Sequence, residues 1–278
     1  MTIVYWIVGI VLVAGILYFI DREVYFYEGA RLGARLQGWL YDRWAGKYDA
    51  GKAESQARDA EMLARPLLGM LAGAERPFIL DVATGTGRLP LALCRQPGFA
   101  GRVVAMDISD GMLEIAAGKL AGCGDRVTLL HYTDFPLPFP DATFDAVTCL
   151  EALEVMAEME APLRELYRVL KPGGAFLSSR GAEASGRKAK VRSVEAFTRL
   201  LEQTGFGQVE IVPWWRLFDR VRAVRPGGLH PAGDRRLEDV LVCAVCGATG
   251  FEAQGDGLRC GHCARQVGIG TGGIISYR

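Results

Sequence analysis

The chain has 278 residues, half of them apolar, and 32 basic against 32 acidic side chains, so its formal net charge is zero. That length leaves room for one catalytic core with small appendages. Global neutrality argues against nonspecific binding of nucleic acid, and neither an internal repeat nor a long low-complexity tract points to a solenoid or a disordered chain.

The first element is "TIVYWIVGIVLVAGILYFI", Thr2 to Ile20, which carries no charge over 19 residues. At ~1.5 Å per residue a helix there would reach about 28 Å, the depth of a bilayer core. Residues 2–20 are therefore expected to form a transmembrane helix. No Lys or Arg precedes the run and no small-x-small site closes it before Asp21, unlike a cleaved secretory signal, and a soluble amphipathic helix would show a polar face. Tyr5, Trp6, Tyr18 and Phe19 suit an interfacial belt. Arg22, Arg31 and Arg35 follow the span, in company with Asp21, Glu23 and Glu28, and the positive-inside rule then places the remainder in the cytoplasm of a single-pass membrane protein.

Next comes "LYDRWAGKYD", Leu40 to Asp49, with a Tyr-Asp pair at each end, and then the apolar strand and glycine turn "FILDVATGTGRL". Glycine at a strand-to-helix turn lets the backbone approach a ligand and leaves amides pointing outward. A dinucleotide fingerprint would need a third glycine where Pro90 stands, and a phosphate loop would need Gly-Lys followed by Ser or Thr, which is absent. Asp107 ends the next apolar run about 20 residues on, where a carboxylate can accept both hydroxyls of a ribose. Apolar runs beginning at Phe78, Val103, Val127, Phe144 and Ala175 alternate with helical patterns, the signature of a parallel sheet covered on both faces. "SVEAFTRLLEQTGFGQVEIVPWWRLFDRVRAVR" then reads as a helix and an antiparallel strand pair. The surplus of arginine after Lys188 could meet phosphates of lipid or RNA, although such runs are usually solvated faces. Cys94, Cys123 and Cys149 are scattered and read as core residues of a reducing compartment.

In this order Asp81, the Gly85/Gly87 turn, Asp107, Asp134-Phe135, "FPDATFDAVTC" and "VLKPGG" resemble the type 11 group of class I S-adenosylmethionine (SAM) methyltransferases, which includes the C-methyltransferases of ubiquinone and menaquinone synthesis. The resemblance covers Tyr41 to Arg225; Ala83 stands where many relatives carry glycine. It implies a Rossmann-like α/β fold with a seven-stranded sheet over residues 21–225, and SAM as cofactor. It further implies that Asp81 orients the loop Ala83-Thr84-Gly85 and the methionine amino group, while Gly85 and Gly87 admit the methionine end. Asp107 would hold the ribose, Asp134 the adenine amino group, and Ile108, Met112 and Phe135 the ring faces; ordinary core is the bland alternative for Ile108 and Met112. Glu151, at the carboxyl edge of the sheet, would touch the methionine moiety or the acceptor, or else be a solvated helix cap. The Tyr-Asp segment resembles the helix that folds over SAM, with Tyr48 as the lid contact and Trp44 packing. No fixed base is implied; His131 and Glu154 are candidates by residue type only.

Residues 226–240, rich in Gly and Pro, read as a linker. Beyond it, Cys243-x2-Cys246 and Cys260-x2-Cys263, 13 residues apart, offer four thiolates for tetrahedral Zn2+. Two redox pairs or a metal-free remnant are the alternatives, and His262 inside the second knuckle is a weaker competitor for the metal. Four cysteines leave no open position, so the zinc of a ribbon over 241–278 would be structural. This tail resembles the small zinc-ribbon subunit that activates several tRNA and protein methyltransferases, and implies a built-in stabiliser or a docking surface for a protein partner. The sequence thus points to a membrane-anchored SAM-dependent methyltransferase acting on a lipophilic small molecule such as a quinone, prenylated intermediate or lipid. An RNA or protein methyltransferase, or a SAM-binding scaffold without catalysis, are the other readings.

Overall fold

A computed structural model of the chain describes residues 2–182 and 191–277. Arg187, Lys188 and Lys190, part of the basic run, lie outside the described residues. The described arginines around it are engaged with carboxylates: Arg192 with Glu160, Arg216 with Glu54, and Arg220 and Arg222 with Glu210.

Helix α1 (Thr2–Phe19) continues through a π-helical segment, Ile20–Phe26. The stretch Val4–Phe26 is long and apolar enough to cross a bilayer, and none of the described α1 residues is buried, whereas Glu23, in the π-helical end, is. Helix α2 (Ala34–Gln56) and the short α3 (Arg65–Met70) precede the sheet. Strands β1 (Phe78–Val82), β2 (Arg102–Asp107), β3 (Val127–His131), β4 (Phe144–Cys149) and β5 (Leu170–Gly181) run parallel, with α4 (Arg88–Cys94), α5 (Asp110–Leu120) and α6 (Glu160–Val169) as crossovers. After α7 (Val194–Thr204) come β6 (Gly207–Trp215) and β7 (Phe218–Val224), and β7 inserts antiparallel between β5 and β6. Beyond the short α8 (Leu237–Val240), the antiparallel β8 (Phe251–Gln254), β9 (Gly257–Cys260) and β10 (Gln266–Gly268) form a separate small sheet, and β11 (Ile275–Ser276) ends the chain.

The sheet departs from the expected seven strands. Its order is β11-β3-β2-β1-β4-β5-β7-β6, eight strands, because the C-terminal tail returns to pair β11 in parallel with β3, Ile275 opposite Leu130. Two residues shortly after a Gly-Gly pair carry too little pattern to read as a strand; the pairing comes from the free edge that β3 presents.

Side chains alternate across the sheet. Ile79, Val103, Ala105 and Ala146 share one apolar cluster with Leu67, Leu93, Leu113 and Leu120 of α3, α4 and α5. Leu80, Val104, Leu130 and Val147 belong to the opposite cluster, with Leu163 and Leu166 of α6 and Leu200 and Leu201 of α7. Between β3 and β4 the described chain forms no helix. The cover over β1, β2 and β3 on this face comes from the C-terminal region: Leu237, Val240, Phe251, Leu258, Val267 and Tyr277 join the same cluster. The ribbon thus stands where an α/β layer would ordinarily put a crossover helix.

The linker expected at 226–240 is tied down. Lys171 Nζ donates to His230 O at 2.8 Å, Ala232 N to Asp145 Oδ1 at 2.8 Å, and Asp234 accepts from Arg76 and Arg102. Residues 226–236 form no helix or strand but are anchored by partners distant in sequence, and α8 occupies the rest of the expected linker.

Candidate active site

A cavity of about 360 Å³ opens at the carboxyl ends of β1, β2, β3 and β4, beneath α2. Its floor is the turn after β1, where Ala83 and Gly85 both take φ +56° and Gly87 +78°. This left-handed geometry is free for glycine, whereas Ala83 is held in it at a cost. Thr84 N donates to Met106 O at 2.9 Å, and Gly85 N to Asp107 Oδ2 at 2.7 Å. Asp107 Oδ1 accepts from Ser109 N at 2.9 Å, so one carboxylate joins the turns after β1 and β2. Asp107 is buried, not at an exposed strand end, and burial pushes its carboxyl above the usual range against the pull of those amides.

Nine of the residues expected from sequence line this cavity: Tyr48, Ala83, Gly85, Asp107, Ile108, Met112, Asp134, Phe135 and Glu151. Asp81 and Thr84 face a smaller neighbouring cavity instead. Asp81 is fully enclosed between the hydroxyls of Thr148 (2.5 Å) and Thr84 (2.6 Å), and burial raises its carboxyl to about 6, so it holds the loop from behind. Gly87 reaches neither cavity. A Cβ there would stand 2.8 Å from Leu120 Cδ1, which makes it a packing glycine between α4 and α5.

Glu151 is not a solvated cap. Its φ is +53°, its amide donates to Ser179 Oγ, and its carboxylate accepts from Arg88 Nη1 at 2.8 Å and from Lys52. Arg88 is itself clamped by Asp59 and stacked over Trp214 at 4.6 Å, so Glu151 sits on the cavity wall with its charge already balanced.

The lid is the whole of α2, and its Tyr-Asp pairs divide the labour. Tyr41 and Tyr48, seven positions apart and hence on one face, line the cavity. Asp42 accepts from Ser109 Oγ at 2.6 Å and Gly111 N at 2.9 Å; Asp49 accepts from Thr86 Oγ1 at 2.6 Å and Lys119 Nζ at 2.8 Å. Each aspartate thus fastens the helix to one of the turns below. Gly38 allows this approach, since a Cβ would lie 2.6 Å from Ile108 O. Gln37 donates to Val155 O at 2.7 Å and also lines the lumen. Burial, then the Glu151 charge, raises the Tyr48 hydroxyl, and burial raises Tyr41, whose hydroxyl donates to Glu28 at 2.6 Å, so both remain protonated. Gln37, Gly38, Tyr41, Asp42 and Asp49 were not singled out from sequence; the repeated Tyr-Asp pair was the available signal.

Two candidate bases fall outside the lining. His131 Nε2 lies 3.0 Å from Ile108 O. Glu154 is buried behind the wall between Leu153 and the cavity-lining Val155, and burial raises its carboxyl to about 7; among the described residues its Oε1 has no partner.

Away from the cavity, the four ribbon thiols lie within 4.8 Å of one another. Cys243 and Cys263 Sγ are 3.5 Å apart, Cys246 and Cys260 3.7 Å. A tetrahedral zinc with bonds of ~2.3 Å requires separations of about 3.8 Å, so the donor set fits. The knuckles are matched: Gly247 N closes onto Cys243 O and Ala264 N onto Cys260 O, both residues at positive φ. His262 is exposed and outside the thiol cluster.

Residues 79–174 match a family model described as a methyltransferase domain. The chain is 40% identical over 140 residues to a demethylmenaquinone methyltransferase of Symbiobacterium thermophilum, covering 50% of this chain and 56% of that protein. It is 44% identical over 101 residues to a ubiquinone/menaquinone biosynthesis C-methyltransferase of an Enterobacter species, covering 36% and 40%. The chain thus spans about half the length, or less, of these curated relatives. A SAM-dependent methyltransferase from Aquifex aeolicus superposes with a TM-score of 0.54 at 24% identity, over 66% of this chain and 98% of that one. Residues 79–174 thus carry a methyltransferase domain, similar in sequence to ubiquinone/menaquinone-type enzymes and in fold to SAM-dependent methyltransferases.

Proposed function

We propose that the protein is a membrane-anchored SAM-dependent methyltransferase whose acceptor is a small lipophilic molecule, such as a quinone, a prenylated intermediate or a lipid. One observation carries the reading: the two halves of a single cavity differ in chemistry. Asp107, Asp134, Ile108, Met112 and Phe135 gather at the β2 and β3 ends, a set suited to a ribose and a purine. The other half is walled by Ala34, Val155, Met156, Ala157, Ala161 and Pro162, with Gln37 and Glu158 as its polar groups. An apolar chamber of this kind favours a lipophilic acceptor over an RNA base or an acidic peptide.

SAM, when bound, supplies an electrophilic methyl on a sulfonium. The protein's part is alignment and exclusion of water: Tyr41 and Tyr48 close the top, Gly85 leaves open space below, and the Asp42 and Asp49 contacts hold the lid in register. Arg88 and Lys52 balance the charge of Glu151 on the cavity wall. Zinc on Cys243, Cys246, Cys260 and Cys263 would have a structural role, and the first helix would anchor the chain with its catalytic domain on the cytoplasmic side.

Methyl transfer from labelled SAM, assayed in parallel on a membrane-lipid extract and on ribosomal and protein extracts, tests the reading. Label in the organic phase is expected. Label in RNA or protein would move the assignment to those acceptors, and SAM binding without transfer to any of them would leave a scaffold.

A further inference from the structure

We propose that the outward face of α2 from Leu36 to Lys47, with Leu32 just before the helix, docks on the headgroup region of an anionic bilayer and seats the acceptor chamber against the membrane. The proposal rests on the membrane-anchored reading above and assigns it a surface.

The inner face of α2 is fully committed: Gln37, Tyr41 and Tyr48 to the cavity, Gly38 to Ile108, Asp42 and Asp49 to the turns below. The opposite face has no such occupation. Leu36 and Trp39, one helical turn apart, are 40% and 49% exposed, and Leu32, in the short 3-10 turn just before α2, is 36% exposed. Arg43 and Lys47 continue the same stripe and Arg35 flanks it, all three exposed. The Arg43 guanidinium covers the Trp39 ring at 4.8 Å, and among the described residues none of the three cations makes an ion pair. The acids of this region are turned elsewhere: Glu23 pairs with Arg31, Glu28 receives the Tyr41 hydroxyl, and Asp42 and Asp49 bind inward. The exposed charge on the stripe is accordingly basic.

A contiguous apolar stripe on a water-facing helix marks an interaction surface. Leucine and tryptophan bordered by Arg and Lys is the composition of a helix lying in a membrane interface, with the cations at the phosphates. Continuity selects the bilayer among possible occupants, because the stripe begins just after the bilayer-length apolar segment Val4–Phe26. Gly33 and Ala34, between Leu32 and Leu36 in the chain, line the cavity. A docked α2 thus brings the start of the lumen to the depth where a lipophilic acceptor partitions.

The test uses the full chain reconstituted into phosphatidylcholine vesicles, with or without phosphatidylglycerol, containing a brominated-acyl lipid as quencher. Tryptophan emission of wild type is compared with that of Trp39→Phe. The component lost in the variant is expected to be quenched, more strongly with phosphatidylglycerol and less at high salt. Arg43→Ser and Lys47→Ser should each lower the docked-to-undocked ratio about fivefold. SAM affinity in detergent, unchanged in all three variants, shows that they fold. An unquenched Trp39 component in protein that resists carbonate extraction overturns the docking and leaves the anchor standing. Carbonate-extractable protein with Trp39 still quenched removes the anchor and retains the docking. Self-association in detergent that is abolished by Leu36→Glu, with no lipid quenching, assigns the face to a second copy and overturns the proposal.

Discussion

The two appendages of the domain attach in opposite ways. Helix α1 buries none of its surface in the rest of the molecule, whereas the C-terminal ribbon contributes Phe251, Leu258, Val267 and Tyr277 to the sheet's own apolar cluster and a strand to its edge. Burial of this kind, not size, decides whether a segment is part of the folding unit. The apolar helix leaves its side chains uncovered, whereas the ribbon and the sheet bury apolar side chains in one shared cluster.

The sharpest way to break this contrast is to disable the proposed zinc site. Cys246→Ser is expected to lose one zinc per chain and to destabilise the whole methyltransferase domain by on the order of 5 kcal/mol, since metal affinity is folding free energy here. Elemental analysis with thermal denaturation measures both. A variant that melts like wild type would show the ribbon to be an independent module.

A smaller effect is expected at Glu154, which lies in the cluster face the ribbon helps to enclose. Its folded carboxyl titrates at about 7 against an ordinary 4.5, so the folded protein holds the proton more tightly than the unfolded chain. The resulting stabilisation is complete below pH 4.5 and is lost as pH rises through about 7. Glu154→Gln should therefore gain up to about 3 kcal/mol over wild type at pH 8 and little at pH 5, read from denaturant titrations at both values.

Asp107→Ala removes the acceptor that joins Gly85 N to Ser109 N and faces the proposed ribose. SAM affinity by calorimetry should fall about tenfold to a hundredfold in a protein that still folds. Unchanged affinity would exclude Asp107 from the cofactor site. Smallest of all, deleting Met1 to Ile20 should leave SAM affinity and melting of the domain within about 0.5 kcal/mol of wild type, as expected for a segment without buried contacts. A larger loss would mean that α1 supports the fold after all.

Much of the parallel core was legible because apolar runs from Phe78, Val103, Val127, Phe144 and Ala175 recur with helices between them, and because Asp107 ends its strand. The illegible parts are those fixed by distant partners. Nothing local to Ile275 announces its pairing with Leu130, and nothing local to Ala232 announces Asp145. Gly87 reads as a ligand-facing glycine from its turn; that a Cβ there would meet Leu120 was not legible in the sequence. Asp42 and Asp49 look like solvated helix residues until the turns they fasten are folded beneath them.

The placement of β11 also bears on solubility. An open β3 edge would offer its unpaired amides and carbonyls, beside Leu129 and Leu130, to any extended chain. The tail occupies part of that edge through Ile275, Ser276 and the bond from Tyr277 N to His131 O at 3.0 Å. The opposite edge, β6, carries Pro213 and two irregularities of register instead. One border is thus closed by the chain's own last residues and the other by a strand poorly shaped for pairing. Trimming the tail should consequently cost dispersal before it costs cofactor binding.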